Sequence, residues 1–291
     1  MSSFFKKKKN ASKGNQKPSE DGTISTDLMR TMQENAFKSI DAGQESLVLM
    51  FLAKEKQIAT MDVATEDSNK TILINATCKL SEDGCIKVVD AIVEVGGAAA
   101  LRVELKKKTK NTTGNSPLHN AAKQNYGAFF EKVIGILDTD NGDGGGGGGG
   151  GGGGREESRK VLNLANEEGE TPLYGAASVG ATKVVKVLLE NDLVDASPPH
   201  PQKATPLHVA AAFAGMETLS LLLAKRGEGE NKDKTDVNVA DENNFTPLLL
   251  ACKTGNSRVI AALVEAGADM YHPIPEVSEF FFGLFNAAAD L

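Results

Sequence analysis

The hexapeptide Thr205-Pro206-Leu207-His208-Val209-Ala210 returns along the chain in recognisable variants. Ser116-Pro117-Leu118-His119-Asn120-Ala121 and Thr171-Pro172-Leu173-Tyr174-Gly175-Ala176 precede it, and Thr246-Pro247-Leu248-Leu249-Leu250-Ala251 follows. A degenerate copy, Thr71-Ile72-Leu73-Ile74-Asn75-Ala76, stands earlier. Successive starts lie 45, 55, 34 and 41 residues apart, a repeat of roughly 33 residues with insertions. Such a period implies a solenoid, in which short modules bury their apolar faces only against one another. Stacked modules build surfaces more often than catalytic pockets, so the expected function is binding.

Each word reads as a helix start. The Thr or Ser side chain can accept a bond from the free amides of the first turn. Proline next suits the first helical position, where its missing N–H is no loss. Leu and Ala then supply an apolar stripe with small residues. Nine residues after the start stands Asn125, Gly180 or Gly255, each tolerant of a left-handed helix stop, and Gly215 arrives one residue late. A second apolar helix follows in every copy. Val184-Val185-Lys186-Val187-Leu188-Leu189 is its clearest form. Val88-Val89 with Ile92 and Val93, Phe129-Phe130 with Val133 and Ile134, Leu219 with Leu221–Leu223, and Val259-Ile260 with Leu263 and Val264 repeat it.

With these helix pairs the chain resembles the ankyrin repeat family, whose units join a β-turn finger to two antiparallel helices. In the last unit Asp236-Val237-Asn238 and Asp241 open the finger, and Glu265-Ala266-Gly267-Ala268-Asp269 close the second helix. Aligning on Gly43 adds a degenerate first unit with Phe37, Ile40, Leu47, Val48, Phe51 and Leu52 as its core. The implied fold is all-α, an ankyrin-repeat solenoid of about six helix-turn-helix units with β-turn fingers over residues 23–270. The tight turn ahead of each word wants a left-handed residue. Asn69, Gly114, Gly169 and Asn244 supply one, whereas Lys203 does not, and Pro198-Pro199-His200-Pro201 implies a rebuilt finger there. In the Thr71 copy the stop, taken as Gly84, comes four residues late, so its first helix should be longer or end in a small loop.

Charge separates an arm from a body. The formal net charge is −7, yet residues 1–20 carry six lysines and one glutamate, leaving −12 on residues 21–291. An acidic body argues against a nucleic-acid groove. Residues 1–22 read as a disordered basic tail. Within it Lys6–Lys9 is either a solvated tail, the preferred reading, or a nuclear-import signal. The start lacks the apolar run of a secretory signal and no stretch has the roughly 20 apolar residues of a membrane helix. The expected protein is therefore cytoplasmic, with the nucleus as a second compartment, and monomeric. Cys78, Cys85 and Cys252 have no metal-ligand spacing and read as reduced thiols.

Gly144–Gly154 is no phosphate loop, because Arg155-Glu156 follows where Lys and Ser/Thr are needed. Asp138, Asp140, Asn141 and Asp143 lack the twelfth-position carboxylate of a calcium loop. Residues 138–158 are expected to be a flexible glycine-rich loop between units. Lys106–Lys108 and Lys110 read as an insertion loop. From Pro273 to Leu291 the phenylalanine-rich tail is either a capping helix (residues 271–291), preferred, or a partner- or membrane-touching helix.

No serine or cysteine stands beside a base with an orienting acid, so an enzyme is the least favoured class and no cofactor or metal is expected. His119 and His208 hold the fourth place of the word, where the resemblance implies a bond to a neighbouring turn. Tyr174 and Leu249 hold that place elsewhere, so chemistry is not required there. The resemblance implies partner contacts through finger tips and first-helix edges. Those positions are Glu167, Glu168, Glu170, Glu242, Asn243 and Phe245 on fingers, and Lys123, Gln124, Ser178, Val179, Lys253 and Thr254 on helix edges. Phe245, read as an exposed aromatic at a tip, is the strongest single candidate. The expected function is a non-catalytic scaffold or adaptor for a partner protein. A regulatory subunit or ubiquitin-ligase substrate receptor is the alternative.

Overall fold

The structure, a computed structural model, describes residues 26–60, 71–109, 113–139, 153–196, 204–213, 215–224 and 236–273. Among them every regular element is a helix. The order is α1 (Thr26–Asp41), α2 (Glu45–Lys54), α3 (Ile72–Lys79), α4 (Glu82–Lys106), α5 (Pro117–Lys123), α6 (Gly127–Thr139), α7 (Gly153–Leu162), α8 (Pro172–Val179), α9 (Thr182–Glu190), α10 (Pro206–Phe213), α11 (Met216–Ala224), α12 (Pro247–Thr254) and α13 (Ser257–Glu265). Six hairpins result, with α7 standing outside the pairs. Their first helices α1, α3, α5, α8, α10 and α12 stack in sequence as one layer, and their second helices α2, α4, α6, α9, α11 and α13 as another.

The repeated words start the first helices for the reasons their chemistry suggests. Thr71, Thr171 and Thr246 accept from the amides of Ile74, Tyr174 and Leu249 at 3.2, 3.3 and 3.3 Å. Unlike α3, which ends in extended backbone at Leu80, helices α5, α8 and α12 then end at a left-handed residue, with φ of 59° at Asn125, 70° at Gly180 and 70° at Gly255. Gly43, at 67°, marks the same stop in the first hairpin. One apolar core runs through the stack, with Leu73, Leu118, Leu173, Leu207 and Leu248 buried at one register position of successive units.

Polar side chains tie each unit to the next. The amides opening a helix lack intrahelical acceptors, and at α4, α6 and α9 the preceding unit supplies one. Glu45 Oε2 accepts from Ser81 N at 3.1 Å ahead of α4. Glu82 Oε1 accepts from Phe129 N at 3.1 Å in α6. Asn125 Oδ1 accepts from Lys183 N at 3.1 Å and Val184 N at 3.4 Å in α9.

Several expectations need correction. Gly84 is no helix stop. It lies in the first turn of α4, donates to Ser81 Oγ at 3.1 Å, and packs so close to the Glu45 carboxylate that an added Cβ would meet it at 2.7 Å. Accordingly α3 has eight residues, the same as α8, α10 and α12. Leu47 is not core but 39% exposed, whereas Ile40, Val48 and Leu52 are buried and Phe37 and Phe51 half-buried. Of the glycine-rich loop, residues 138–139 belong to α6 and residues 153–158 to α7, because Val161 and Leu162 give that segment an apolar edge to bury. Lys106 closes α4 rather than lying in a loop. Residues 140–152, the basic tail 1–22, the turn positions Asn69 and Lys203, and residues 274–291 of the expected capping helix lie outside the described residues. Residues 271–273 are non-helical.

Two insertions pack on one another. Helix α4 breaks at Gly96 and Gly97, the latter at φ 65° and ψ −162°, a region open essentially to glycine alone. Its second half then lies against α7. Arg102 donates to Ser158 Oγ at 3.3 Å, Lys106 pairs with Glu157 at 2.5 Å, and Ser158 Oγ donates to Leu137 O at 3.3 Å. Lys107 pairs with Glu104 at 2.8 Å and Lys108 donates to Ala165 O at 2.6 Å, so these lysines serve the fold.

Leu188 is fully buried in α9, and Leu188→Ala should lower unfolding free energy by about 2–5 kcal/mol. Gly97→Ala meets no atom within 4 Å, so its cost is backbone strain alone, about 1–3 kcal/mol. Denaturant titration of both variants checks these values.

Candidate functional site

The finger before α8 is built by Asn166. Its Oδ1 accepts from Glu168 N at 3.0 Å and Glu170 N at 2.9 Å, and its Nδ2 donates to Asn115 Oδ1 at 2.9 Å. Asp241 does the same before α12, accepting from Asn243 N and Phe245 N at 2.9 Å each. The turns close through Gly169 at φ 83° and Asn244 at φ 63°, as expected, and Gly114 at 58° matches them. This leaves Glu167, Glu168, Glu242 and Asn243 exposed at the tips. Glu170 is half-buried and accepts from Lys123 Nζ at 3.2 Å.

Asn163 and Asn238 lock the fingers to the following unit. Each stands eight residues before its Thr. Asn163 donates to Leu193 O at 2.6 Å and accepts from Asp195 N at 2.7 Å. Asn238 donates to Gly267 O at 3.4 Å and accepts from Asp269 N at 2.7 Å.

The two histidines bond the next finger, as the resemblance implied. His119 Nδ1 accepts from Ser116 N at 3.2 Å, which leaves the proton on Nε2, and that N–H donates to Glu170 O at 2.8 Å. His208 repeats this with Thr205 N at 3.0 Å and Phe245 O at 3.1 Å. Burial lowers both imidazoles, His119 from an ordinary 6.5 to about 4. Burial also pushes the Cys85 thiol up to about 12 and raises that of Cys252. Among the described residues no three His, Cys, Asp or Glu side chains could hold a metal ion, and no helix is long and apolar enough to cross a membrane.

Phe245 differs from its expected state. It is half-buried, its backbone carries the finger and the His208 bond, and the Lys253 ammonium sits 5.8 Å from its ring centroid. The edge residues Lys123, Gln124, Val179, Lys253 and Thr254 are exposed. Ser178 is half-buried and donates to Gly175 O at 2.9 Å. Phe213 was missed. It stands eight residues after Thr205, where Gln124, Val179 and Thr254 stand in their own units, and it is 77% exposed. Register alone could have found it.

Stacked hairpins, Asx-turned fingers and the histidine bonds agree with the comparisons to known proteins. The family model described as ankyrin repeats in three copies matches residues 156–236 and 193–273. Residues 156–273 of the chain are ankyrin repeats. The chain is 31% identical over 114 residues to the human transient receptor potential cation channel subfamily A member 1, covering 39% of this chain and 10% of that one. It is 29% identical over 176 residues to the ANK repeat-containing protein nipk-1 of Caenorhabditis elegans, covering 55% and 25%. A probable E3 ubiquitin-protein ligase of rice, XBOS31, is 30% identical over 115 residues, covering 38% and 23%. The chain thus spans a quarter or less of the length of these relatives. Ankyrin repeats are protein–protein interaction modules, and this array presents the corresponding tips and edges.

The buried histidines set a pH dependence. Below about pH 6.5 the unfolded chain takes up a proton at position 119 that the folded chain refuses until about pH 4. Stability is therefore full above pH 6.5 and falls as pH drops through that window, by about 1–2 kcal/mol at pH 5. His119→Gln should be less stable at pH 7 yet lose less between pH 7 and pH 5, measured by urea unfolding at both values.

Proposed function

We propose that this array is a non-catalytic scaffold or adaptor, monomeric, that holds a partner protein along its finger tips and first-helix edges. The observation that carries this is the rigid presentation of exposed side chains by units whose interior polar groups serve the fold. Asn166 and Asp241 fix the tips by paired amide bonds of 2.9–3.0 Å, so little ordering remains to oppose association. The histidines are committed to neighbouring carbonyls at 2.8 and 3.1 Å. Glu167 and Glu168 lie at one tip and Glu242 at another, exposed, on a body of net charge −12. A basic partner surface suits them.

A second reading, a regulatory subunit or substrate receptor working with a ubiquitin ligase, is favoured by the rice relative, a probable E3 ubiquitin-protein ligase. Proximity labelling in cells with the full chain tests both. The same proteins should be recovered reproducibly, and the double variant Glu167→Lys/Glu168→Lys should reduce that recovery about fivefold or more. The purified complex should also weaken between about 0.15 and 0.5 M salt. Co-recovery of ligase components selects the second reading. A recovered set indifferent to the charge reversal and to salt removes the role given to these fingers.

A further inference from the structure

We propose that the edge shared by α8 and α10 takes an extended segment of a partner protein that carries a large apolar side chain three or four residues from a lysine or arginine. The apolar group seats on Val179 and Phe213, and the cation faces Glu167 and Glu168. This rests on the protein-binding function proposed above and names the chemistry of the segment bound.

Val179 is 53% and Phe213 77% exposed, each eight residues after the start of its word. Helices α8 and α10 pack side by side, so equivalent positions lie about 10 Å apart. Single exposed apolar residues are ordinary, but two large ones on adjoining helices make a patch. Phe213 stays outside the apolar core of the described residues, whereas its neighbours Ala210 and Ala211 are buried in it. A phenylalanine in an apolar patch is the kind of anchor on which binding energy concentrates.

Charge decides which segment fits. Among the described residues Glu167, Glu168 and Glu242 form no ion pair, and all three are exposed. Of the described lysines bonded to these finger segments, Lys123 is engaged with Glu170 at 3.2 Å, Lys108 with Ala165 O at 2.6 Å and Lys253 with the Phe245 ring. The surface beside the patch is therefore negative, which repels acidic or phosphorylated segments and nucleic acid and draws a basic one. The spacing follows from helix length. Eight residues of α8 separate its finger from Val179, about 12 Å at 1.5 Å per residue. An extended chain covers that distance in about three or four residues.

The test uses the full chain and a displayed library of random peptides about twelve residues long. Retained peptides should carry Phe, Leu, Ile, Met or Trp three or four positions from Lys or Arg. Phe213→Ser, at an exposed site where folding should be unaffected, should weaken their Kd about tenfold or more, and Glu168→Lys severalfold. Peptides that lose affinity on Glu167→Lys/Glu168→Lys but not on Phe213→Ser would overturn this inference and leave the finger reading intact. Peptides indifferent to both changes, or no retention at all, would count against both. Self-association abolished by Phe213→Ser in sedimentation would make a second copy the occupant and likewise overturn the proposal.

Discussion

The buried face of α9 is covered by α6 on one side and α11 on the other, and neither belongs to its own hairpin. The same holds along the stack. A hairpin of seven- to nine-residue helices has too little interior to hide its leucines and valines, so its stability is borrowed from its neighbours. The polar contacts obey the same rule. Glu45, Glu82 and Asn125 each satisfy amides of the following unit, and His119 and His208 each reach the following finger. Every one couples nearest neighbours, which is why units can vary between couplings without losing the fold.

The insertions show how that tolerance works. Between α3–α4 and α5–α6 the chain carries a second helical segment, and between α6 and α8 a further helix. These two extra pieces meet each other. Ser158 accepts from Arg102, donates to Leu137 O and has no exposed surface. A long connection costs little in closure entropy, and here part of it regains stability by covering the flank of the array.

Much of the fold was legible because the helix boundaries carry local chemistry. Thr and Pro open, Gly or Asn close, and apolar spacing names the buried face. Legibility failed where a residue had two possible roles. Gly84 looks like a stop, but its small size serves the approach of the Glu45 carboxylate, a residue 39 positions away that no local pattern connects to it. Residues 153–158 read as loop because polyglycine precedes them, and the apolar residues that dock α7 come only at its end. On the surface, the resemblance put Val179 and Thr254 on exposed helix edges, where they stand, and Phe213 shares their register position. Phe245 was placed correctly at a finger, yet its half-buried ring and the Lys253 cation over it depend on a helix that folds back on it.

By itself the sequence determined the period, the helix pairs and the residues that cap and close them, because those depend on interactions within a few positions of chain. Tertiary structure decided which polar groups are committed to the fold and which stay exposed to solvent. Glu45 and Glu82 are spent on amides of the next unit, whereas Glu167 and Glu168, of the same chemistry, stay in water. That difference is set by which backbone donors the stacked neighbour brings within reach.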